Sequence, residues 1–338
     1  MRTFECSGGE RMGSQGNRRW AFVAALVLGL GLAAAPVAFQ MFSRAPKGGD
    51  MIDAFEPYMR PAKIGQFQGY IAAIRAADVE VDDSLVPVLE DQLGLDEAAI
   101  GKQFPQLEGL RNGWPTIDAD MSDMLTKMER NIENYDAVAA LPPFPLFPWF
   151  FVAPGLMIAG FAVWGLRSSG RGNTRRRAAI ALIVMGLGVV AAPAIFQMFS
   201  RAPKGADMID DFRSLMTIEK LRSIQGYFVT MASGEGDLRN GVVPALATEE
   251  GVPDATIVAE FPDIEVFIDD WPTMFTEFAP MIGTMQENVP NYEAVDALPP
   301  FGLFPWFFVV PGLLVAGLGI AARRRSREEG VPAPTSPV

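Results

Sequence analysis

Histidine is absent from the sequence, and cysteine occurs once, at Cys6. Without histidine the chain cannot build a Ser-His or Cys-His catalytic pair, and it lacks the cluster of Cys and His ligands that zinc sites use. A single cysteine also excludes a disulfide within the chain. Phosphate-binding loops, G-x-S-x-G elbows and kinase motifs are missing as well. The sequence therefore favours a protein that is not an enzyme and that has no cofactor and no bound metal.

Charged residues are missing from four long apolar stretches. About 20 consecutive apolar residues span the hydrocarbon core of a bilayer, and each stretch reaches that length. We predict transmembrane helices at residues 20–42, 144–166, 178–199 and 301–322. Because these helices contain no ionisable side chain, transport by this chain alone along a coupled ion pathway is disfavoured.

The remaining charges are separated by sign. The short segments 1–19, 167–177 and 323–338 hold thirteen arginines and four glutamates, whereas segments 43–143 and 200–300 carry net charges of −9 and −12. Positive charge next to a transmembrane helix stays in the cytoplasm. We therefore expect a multi-pass protein of the plasma membrane. Its N-terminal tail, basic linker and C-terminal tail would be cytoplasmic, and its two long loops extracytoplasmic.

The first apolar stretch also resembles a cleaved signal peptide, because small residues follow its apolar run. Pro36, directly after them, would hinder cleavage, and the third stretch repeats the same layout in mid-chain. We interpret the first stretch as an anchor. Met12 is an alternative start of translation, and Cys6 would then not belong to the protein.

The two halves of the chain align without a gap when shifted by 157 residues. Residues 36–55 and 193–212 share sixteen of twenty positions, and residues 130–156 and 287–313 share twenty of twenty-seven. We interpret this similarity as a gene duplication. Because each copy would cross the membrane twice, both copies would face the same way, unlike inverted-repeat transporters.

Apolar residues at helical spacing predict helices in both long segments. The seams at 117–138 and 274–295 indicate one long returning helix in each, opened by Trp114-Pro115-Thr116 and by Trp271-Pro272-Thr273. The predicted fold is an all-α membrane protein with four transmembrane helices. These form two tandem two-span repeats, each with an extracytoplasmic helical-bundle domain, at 43–143 and 200–300.

Small residues spaced by four within the apolar stretches predict close packing of the membrane helices. In the order of the chain they are Gly31, Ala35, Gly155, Ala159, Gly188, Ala192, Gly312 and Ala316.

Three groups of residues are candidates for contacts with ligands or lipids. Trp149 and Trp306 fall where interfacial aromatic anchors are expected. Basic residues just outside the first and third spans could bind lipid headgroups or an anion, or could pair with the aspartates that follow them; they are Arg44, Lys47, Arg201 and Lys204. Polar residues retained in both halves could line a ligand pocket or pack locally; they are Gln68, Tyr70, Asn134, Tyr135, Gln225, Tyr227, Asn291 and Tyr292.

These observations favour a non-enzymatic protein of the bacterial cell envelope. It would be a scaffold or accessory subunit that presents its loops to a protein partner or to membrane lipids. Formation of an oligomer stays open. The acidic loops exclude nucleic acid as a partner. Two alternatives stay open. One is an extracytoplasmic sensor or ligand-binding module that signals through partner transmembrane helices, and the other is a component of a transport assembly.

Overall fold

The computed structural model describes residues 12–168 and 172–327, here called the first and second halves. Cys6 lies outside these residues. All regular structure in the described part of the chain is helical. The α-helices of the first half are α1 (Met12–Ala38), α2 (Met41–Phe55), α3 (Pro61–Glu80), α4 (Val86–Gln92), α5 (Glu97–Gln103), α6 (Pro105–Arg130), α7 (Ile132–Ala139) and α8 (Phe147–Arg167). Those of the second half are α9 (Gly172–Ile195), α10 (Met198–Phe212), α11 (Ile218–Asp237), α12 (Val243–Glu250), α13 (Asp254–Val258), α14 (Pro262–Asp296) and α15 (Phe304–Arg327).

Four helical stretches of the described chain are long and apolar enough to cross a membrane, which confirms the predicted number. They are Arg19–Ala38, Phe144–Arg167, Asn173–Ile195 and Phe301–Arg324. The first and third end about four residues before their predicted ends because the chain turns sharply there. Gln40 and Gln197 have φ values of 54°, in the left-handed region that non-glycine residues rarely adopt. Each glutamine separates an apolar helix from the short helix that follows.

The chain forms two compact units. Of the described residues, the apolar-helix unit contains those up to Asp50, those within Ala137–Ala206 and those from Ala294 onward. The loop unit contains Met51–Asp136 and Asp207–Glu293. The sequence left open whether the two loops pack together, and the structure places both in one unit.

In the apolar-helix unit, α1 packs mainly on α8 and α9 on α15, while α8 also contacts α9 and α1 contacts α15. Glycines allow the first two pairs to approach closely. A Cβ atom added to Gly155 would lie 2.6 Å from the carbonyl oxygen of Gly29, and one added to Gly312 would lie 2.8 Å from that of Gly186.

Part of the small-residue prediction is wrong. Gly31 and Gly188 have open space where a Cβ would lie, because they sit two residues beyond the close-packed glycines and so point to another side of their helices. Gly155 and Gly312, by contrast, lie at the close approaches as predicted.

Aromatic rings at equivalent positions of the two halves contact each other at the start of α8 and α15. The ring centroids of Phe151 and Phe308 are 4.5 Å apart, and Phe147 meets Phe304 edge to face at 6.3 Å. The two predicted anchors lie outside this cluster. Trp149 is 55% exposed and Trp306 53%, which suits side chains on an outer surface.

The loop unit is built around four long helices, two from each half. Within a half, α3 packs on α6, and Phe228 of α11 contacts Trp271 of α14. Between halves, α11 packs on α6, and Phe67 of α3 stacks on Phe278 of α14 with ring centroids 4.4 Å apart. Each long helix therefore buries one face against its own half and another against the other half.

Helix N-termini are capped across the two halves. The Asp237 carboxylate accepts hydrogen bonds from the backbone N–H groups of Gln106 and Leu107, at 2.7 and 3.0 Å, where α6 begins. In the same way, Glu80 accepts from the N–H groups of Asp263 and Ile264, at 2.9 and 2.8 Å, where α14 begins. Carboxylates at this position satisfy unpaired donors and interact favourably with the helix dipole.

Ion pairs join the halves in the same reciprocal way. Lys63 of α3 binds Glu277 of α14, and at the equivalent place Lys220 of α11 binds Asp120 of α6 with 2.6 Å between nitrogen and oxygen. Burial alone would raise the pKa of Asp120, but hydrogen bonds from Lys220 and Tyr227 hold it below its ordinary value.

The returning helices differ from the prediction at their first residues. They begin at Pro105 and Pro262, so that Pro115 and Pro272 lie inside α6 and α14. The Trp-Pro-Thr sequences look like helix starts because proline is favoured in a first turn. The true starts also carry proline, and the cross-half caps stabilise them.

Only the second half has the single long returning helix that the sequence predicts. In the first half it is divided at Asn131, whose buried side chain donates to the Lys127 carbonyl and, at 2.8 Å, to Asp211. The residue equivalent to Asp211 is Ala54, and Asn288 donates to the Thr284 carbonyl within a continuous helix. We attribute the break to the pull of Asp211 on Asn131.

Two widened turns connect helices of the loop unit. Val81–Leu85 connects α3 to α4, and Leu238–Val242 connects α11 to α12, both with π-helical hydrogen bonding. Proline follows at Pro87 and Pro244, where an α-helical register would bring its ring against the carbonyl group four residues earlier. The wider turn relieves that clash, so the chain stays helical.

Candidate functional site

The loop unit contains a partly open apolar cavity of ≈ 50 Å³, which we call the methionine cavity. Seven of its thirteen lining residues are methionines, and the others are isoleucine, phenylalanine and tyrosine. Twelve of them form six pairs of identical residues 157 positions apart. The first-half members are Met51, Ile52, Phe55, Met59, Met128 and Tyr135, and Met281 completes the lining.

The two tyrosines present no free hydroxyl group to the cavity. Tyr135 donates its hydrogen bond to the carbonyl oxygen of Ile52 at 2.6 Å, and Tyr292 donates to that of Ile209 at 2.5 Å. Burial, followed by the nearby Glu56 carboxylate, raises the pKa of Tyr135 to about 12. Tyr135 therefore stays neutral in any physiological solution, and the cavity wall is apolar.

The lining is more similar between the halves than its surroundings are. Across 51–136 and 208–293, 26 of 86 aligned positions are identical. By contrast, all six aligned pairs in the lining are identical. Met51, Ile52 and Phe55 belong to a well-matched stretch, but Met59 and Met128 are retained between neighbours that differ on both sides. Empty apolar space of this size costs about 1 kcal/mol of stability, so the lining is not the most stable packing available.

Sequence reasoning identified the tyrosines and missed the methionines. Methionine at helical spacing reads as an ordinary core seam, and Met51 and Met59 were not recognised as part of it. The available signal was the retention of Met59 and Met128 where adjacent residues had changed.

The other six residues of the predicted pocket lie away from the methionine cavity and bond to other groups. Asn134 donates to the Asn131 side chain and Asn291 to that of Asn288. Tyr227 donates to Asp120, which raises the pKa of the tyrosine to about 12. The remaining bonds join Gln68 to Glu129, Gln225 to Gln286, and Gln66 to the hydroxyl group of Tyr70.

The predicted anion-binding arginines lie in the apolar-helix unit and contact the other half. Arg44 donates to the carbonyl oxygen of Ala297 at 2.9 Å, just after α14 ends, and Arg201 donates to that of Ala140 at 2.6 Å, just after α7 ends. Cations stabilise helix C-termini in this position. Lys47 and Lys204 lie one turn further along the same helices as the arginines.

A second feature of the loop unit is an open groove of ≈ 600 Å³ between α11 and α14. Its walls are mostly apolar, and two of the side chains are strongly exposed: Val229 by 67% and Phe275 by 47%. We call it the α11–α14 groove.

The equivalent place in the first half is charged. Arg75 and Asp118 stand where the second half has Ala232 and Phe275. Arg75 binds Asp118 through two hydrogen bonds of 2.5 and 3.1 Å, which bridge α3 and α6. The second half therefore exposes two large apolar side chains at this position, whereas the first half has an ion pair and the small side chain of Ala72.

Acidic residues are numerous in the loop unit. Among the described residues, no three His, Cys, Asp or Glu side chains group so as to hold a metal ion. Burial, with a smaller contribution from Asp82, raises the pKa of Asp78 to about 6, even though Arg111 opposes the shift. Asp78 lines a small internal gap rather than an open cleft.

No family model matches the chain, and no curated protein is similar to it at a significant level.

Proposed function

We propose that this chain is an integral plasma-membrane protein of the bacterial cell envelope that acts as a scaffold or accessory subunit. It arose by duplication of a two-span module, crosses the membrane four times and keeps both termini in the cytoplasm, so the loop unit is extracytoplasmic. The separation of charge by sign supports this orientation, and the alignment of the halves supports the duplication. No catalytic function is part of the proposal.

The α11–α14 groove carries the proposal. A solvent-exposed Phe275 beside Val229, at a place where the first half has an ion pair, is the arrangement expected of a surface that another molecule covers. Because the loop segments carry a large net negative charge, a partner protein with a strongly acidic surface would be repelled. The occupant we propose is an apolar helix with lysine or arginine at its flanks, contributed by a partner protein.

Site-specific photocrosslinking in native membranes tests this assignment. A photoreactive phenylalanine at Val229 should capture one membrane protein in stoichiometric yield, through an apolar helix with basic flanks. The same probe at the equivalent Ala72, which is also exposed, should not. Transplanting the first-half ion pair, with Ala232→Arg and Phe275→Asp, should abolish capture. Equal capture at both positions, or none at Val229, would overturn the proposal.

Labelling of single cysteines tests the topology. In a Cys6→Ser background, Ser84→Cys and Asn240→Cys should react with a membrane-impermeant maleimide in intact cells, whereas Asn173→Cys should react only after lysis. The reverse pattern would place the loop unit in the cytoplasm and remove the basis for an extracytoplasmic partner.

The methionine cavity favours a second candidate function, a ligand-binding module that signals through partner transmembrane helices. Both functions use the same loop unit through different surfaces. Experiments can separate the two functions, because the cavity and the groove share no lining residue. The cavity is lined from α2, α6, α7, α10 and α14 and from the turns that follow α2 and α10.

A further inference from the structure

The methionine cavity has the properties of a site for a narrow, flexible, apolar ligand. We propose that it binds the alkyl chain of a single-chain lipid such as a fatty acid, with the polar end of the lipid outside. This inference does not depend on the partner proposed for the groove.

The chemistry of the wall excludes a polar ligand. The two tyrosine hydroxyl groups donate to the carbonyl groups of Ile52 and Ile209, and the other lining side chains are methionine, isoleucine and phenylalanine. A polar group placed inside would lose its hydrogen bonds to water without replacement. An alkyl chain has no such groups to satisfy.

The size of the space selects the shape of the ligand. Cavities that accept benzene measure roughly 150 Å³, three times the ≈ 50 Å³ present here. A polymethylene chain is narrower than any ring. Methionine is the side chain best suited to move aside for it, because it is unbranched and has three rotatable bonds. The seven methionines of the lining can therefore change conformation so that the cavity extends along a bound alkyl chain.

A comparison of aligned residues in the two halves supports a requirement for methionine in the lining rather than for any apolar residue. In the core outside the cavity the halves exchange many apolar residues, as Met121 for Phe278 and Ile74 for Met231 show, although Leu89 and Ile100 are retained. Within the lining, Met59 and Met128 have methionine as their counterparts although the residues on both sides of each have changed.

The least buried lining residues mark the opening. Phe55 and Phe212 are half-buried, whereas the other lining residues are buried. Each is followed in the chain by an exposed charged residue, Glu56 or Arg213, and these take part in surface ion pairs. A polar lipid end would stay in water near these charges while its chain enters the cavity past Phe55 or Phe212.

Photolabelling of the full-length protein in lipid nanodiscs, without detergent, tests the proposal. The probe is a 16-carbon fatty acid with a diazirine in its chain, and labelled peptides are quantified by mass spectrometry. Labelling should occur in the peptides that contain Met59 and Met281, and excess unlabelled palmitate should reduce it. Met281→Phe should reduce labelling of the loop unit about tenfold, because the larger ring fills the cavity.

Met121→Phe is the matched control. Met121 is fully buried but does not line the cavity, and its equivalent in the second half is already phenylalanine, so labelling should stay within about twofold of the wild type. Met59→Phe fills the cavity from the other half and replaces Met281→Phe if that variant does not fold. Labelling confined to the apolar helices, or unchanged in both filled variants, would overturn the proposal and leave the cavity as a packing gap.

Discussion

The cross-half caps predict that a substitution in one half loosens a helix of the other. Asp237 lies at the end of α11 but binds two N–H groups at the start of α6, more than a hundred residues earlier in the chain. Asp237→Ala removes the N-cap of α6 and a negative charge that interacts favourably with the dipole of that helix. Such caps contribute about 1–2 kcal/mol.

Hydrogen exchange measures this loss locally. A loss of about 1.4 kcal/mol corresponds to a tenfold change in an opening equilibrium. We therefore expect amides in residues 105–110 of Asp237→Ala to exchange about tenfold faster than in the wild type. The start of α14, residues 262–267, should be unaffected because Glu80 still caps it.

The reciprocal variant provides the control. Glu80→Ala should accelerate exchange at 262–267 and leave 105–110 unchanged. Asp237→Asn, which keeps an acceptor oxygen but not the charge, should give an intermediate effect. Accelerated exchange at the start of α14 in Asp237→Ala, or no change in either region, would refute the reciprocal arrangement of the two halves.

Three further substitutions test individual features. Asp78→Asn should raise the free energy of unfolding by about 1 kcal/mol at pH 7, since solvent screening reduces the effect at this half-buried site. Because the pKa of Asp78 is raised, its protonated form stabilises the folded wild type below pH 4, and this stability is lost as pH rises through 6. The difference in melting temperature between Asp78→Asn and the wild type should therefore vanish at pH 4. Gly155→Ala should destabilise the α1–α8 pair by about 1–3 kcal/mol, whereas Gly31→Ala should not lower the melting temperature, because a Cβ there meets open space. Gln40→Gly should stabilise the protein by about 0.5–1 kcal/mol, since glycine adopts positive φ without strain; a lower melting temperature would contradict this.

The sequence predicted the apolar helices well because their signal is local. An uninterrupted apolar stretch of sufficient length determines such a helix by itself. Their ends were less predictable, since the left-handed turns at Gln40 and Gln197 use a residue with no preference for that conformation. The start of α6 was misplaced because its cap, Asp237, is distant in sequence.

The candidate site was predictable only in part for the same reason. Tyr135 and Tyr292 are predictable as candidates because they recur in both halves, and the structure brings them to one cavity. Met59 and Met128 carry the same signal, but methionine has no distinctive polar chemistry, so its recurrence resembles ordinary core packing. Only the fold shows that methionines from four separate segments converge on one space.

The reciprocal contacts also constrain how the proposed duplication began. In the present chain, α3 packs on α14 through Phe67 and Phe278, and α11 packs on α6. In a protein with a single module, each of the two long helices would lack a partner for the face that now packs against the other half. The returning helix would also lack its N-terminal cap. A second copy related by a twofold axis would supply all of these contacts at once, since an isologous interface repeats each contact. If the chain arose by duplication, this argument favours a homodimeric single-module ancestor, and the six identical pairs of the lining would place the methionine cavity near its twofold axis.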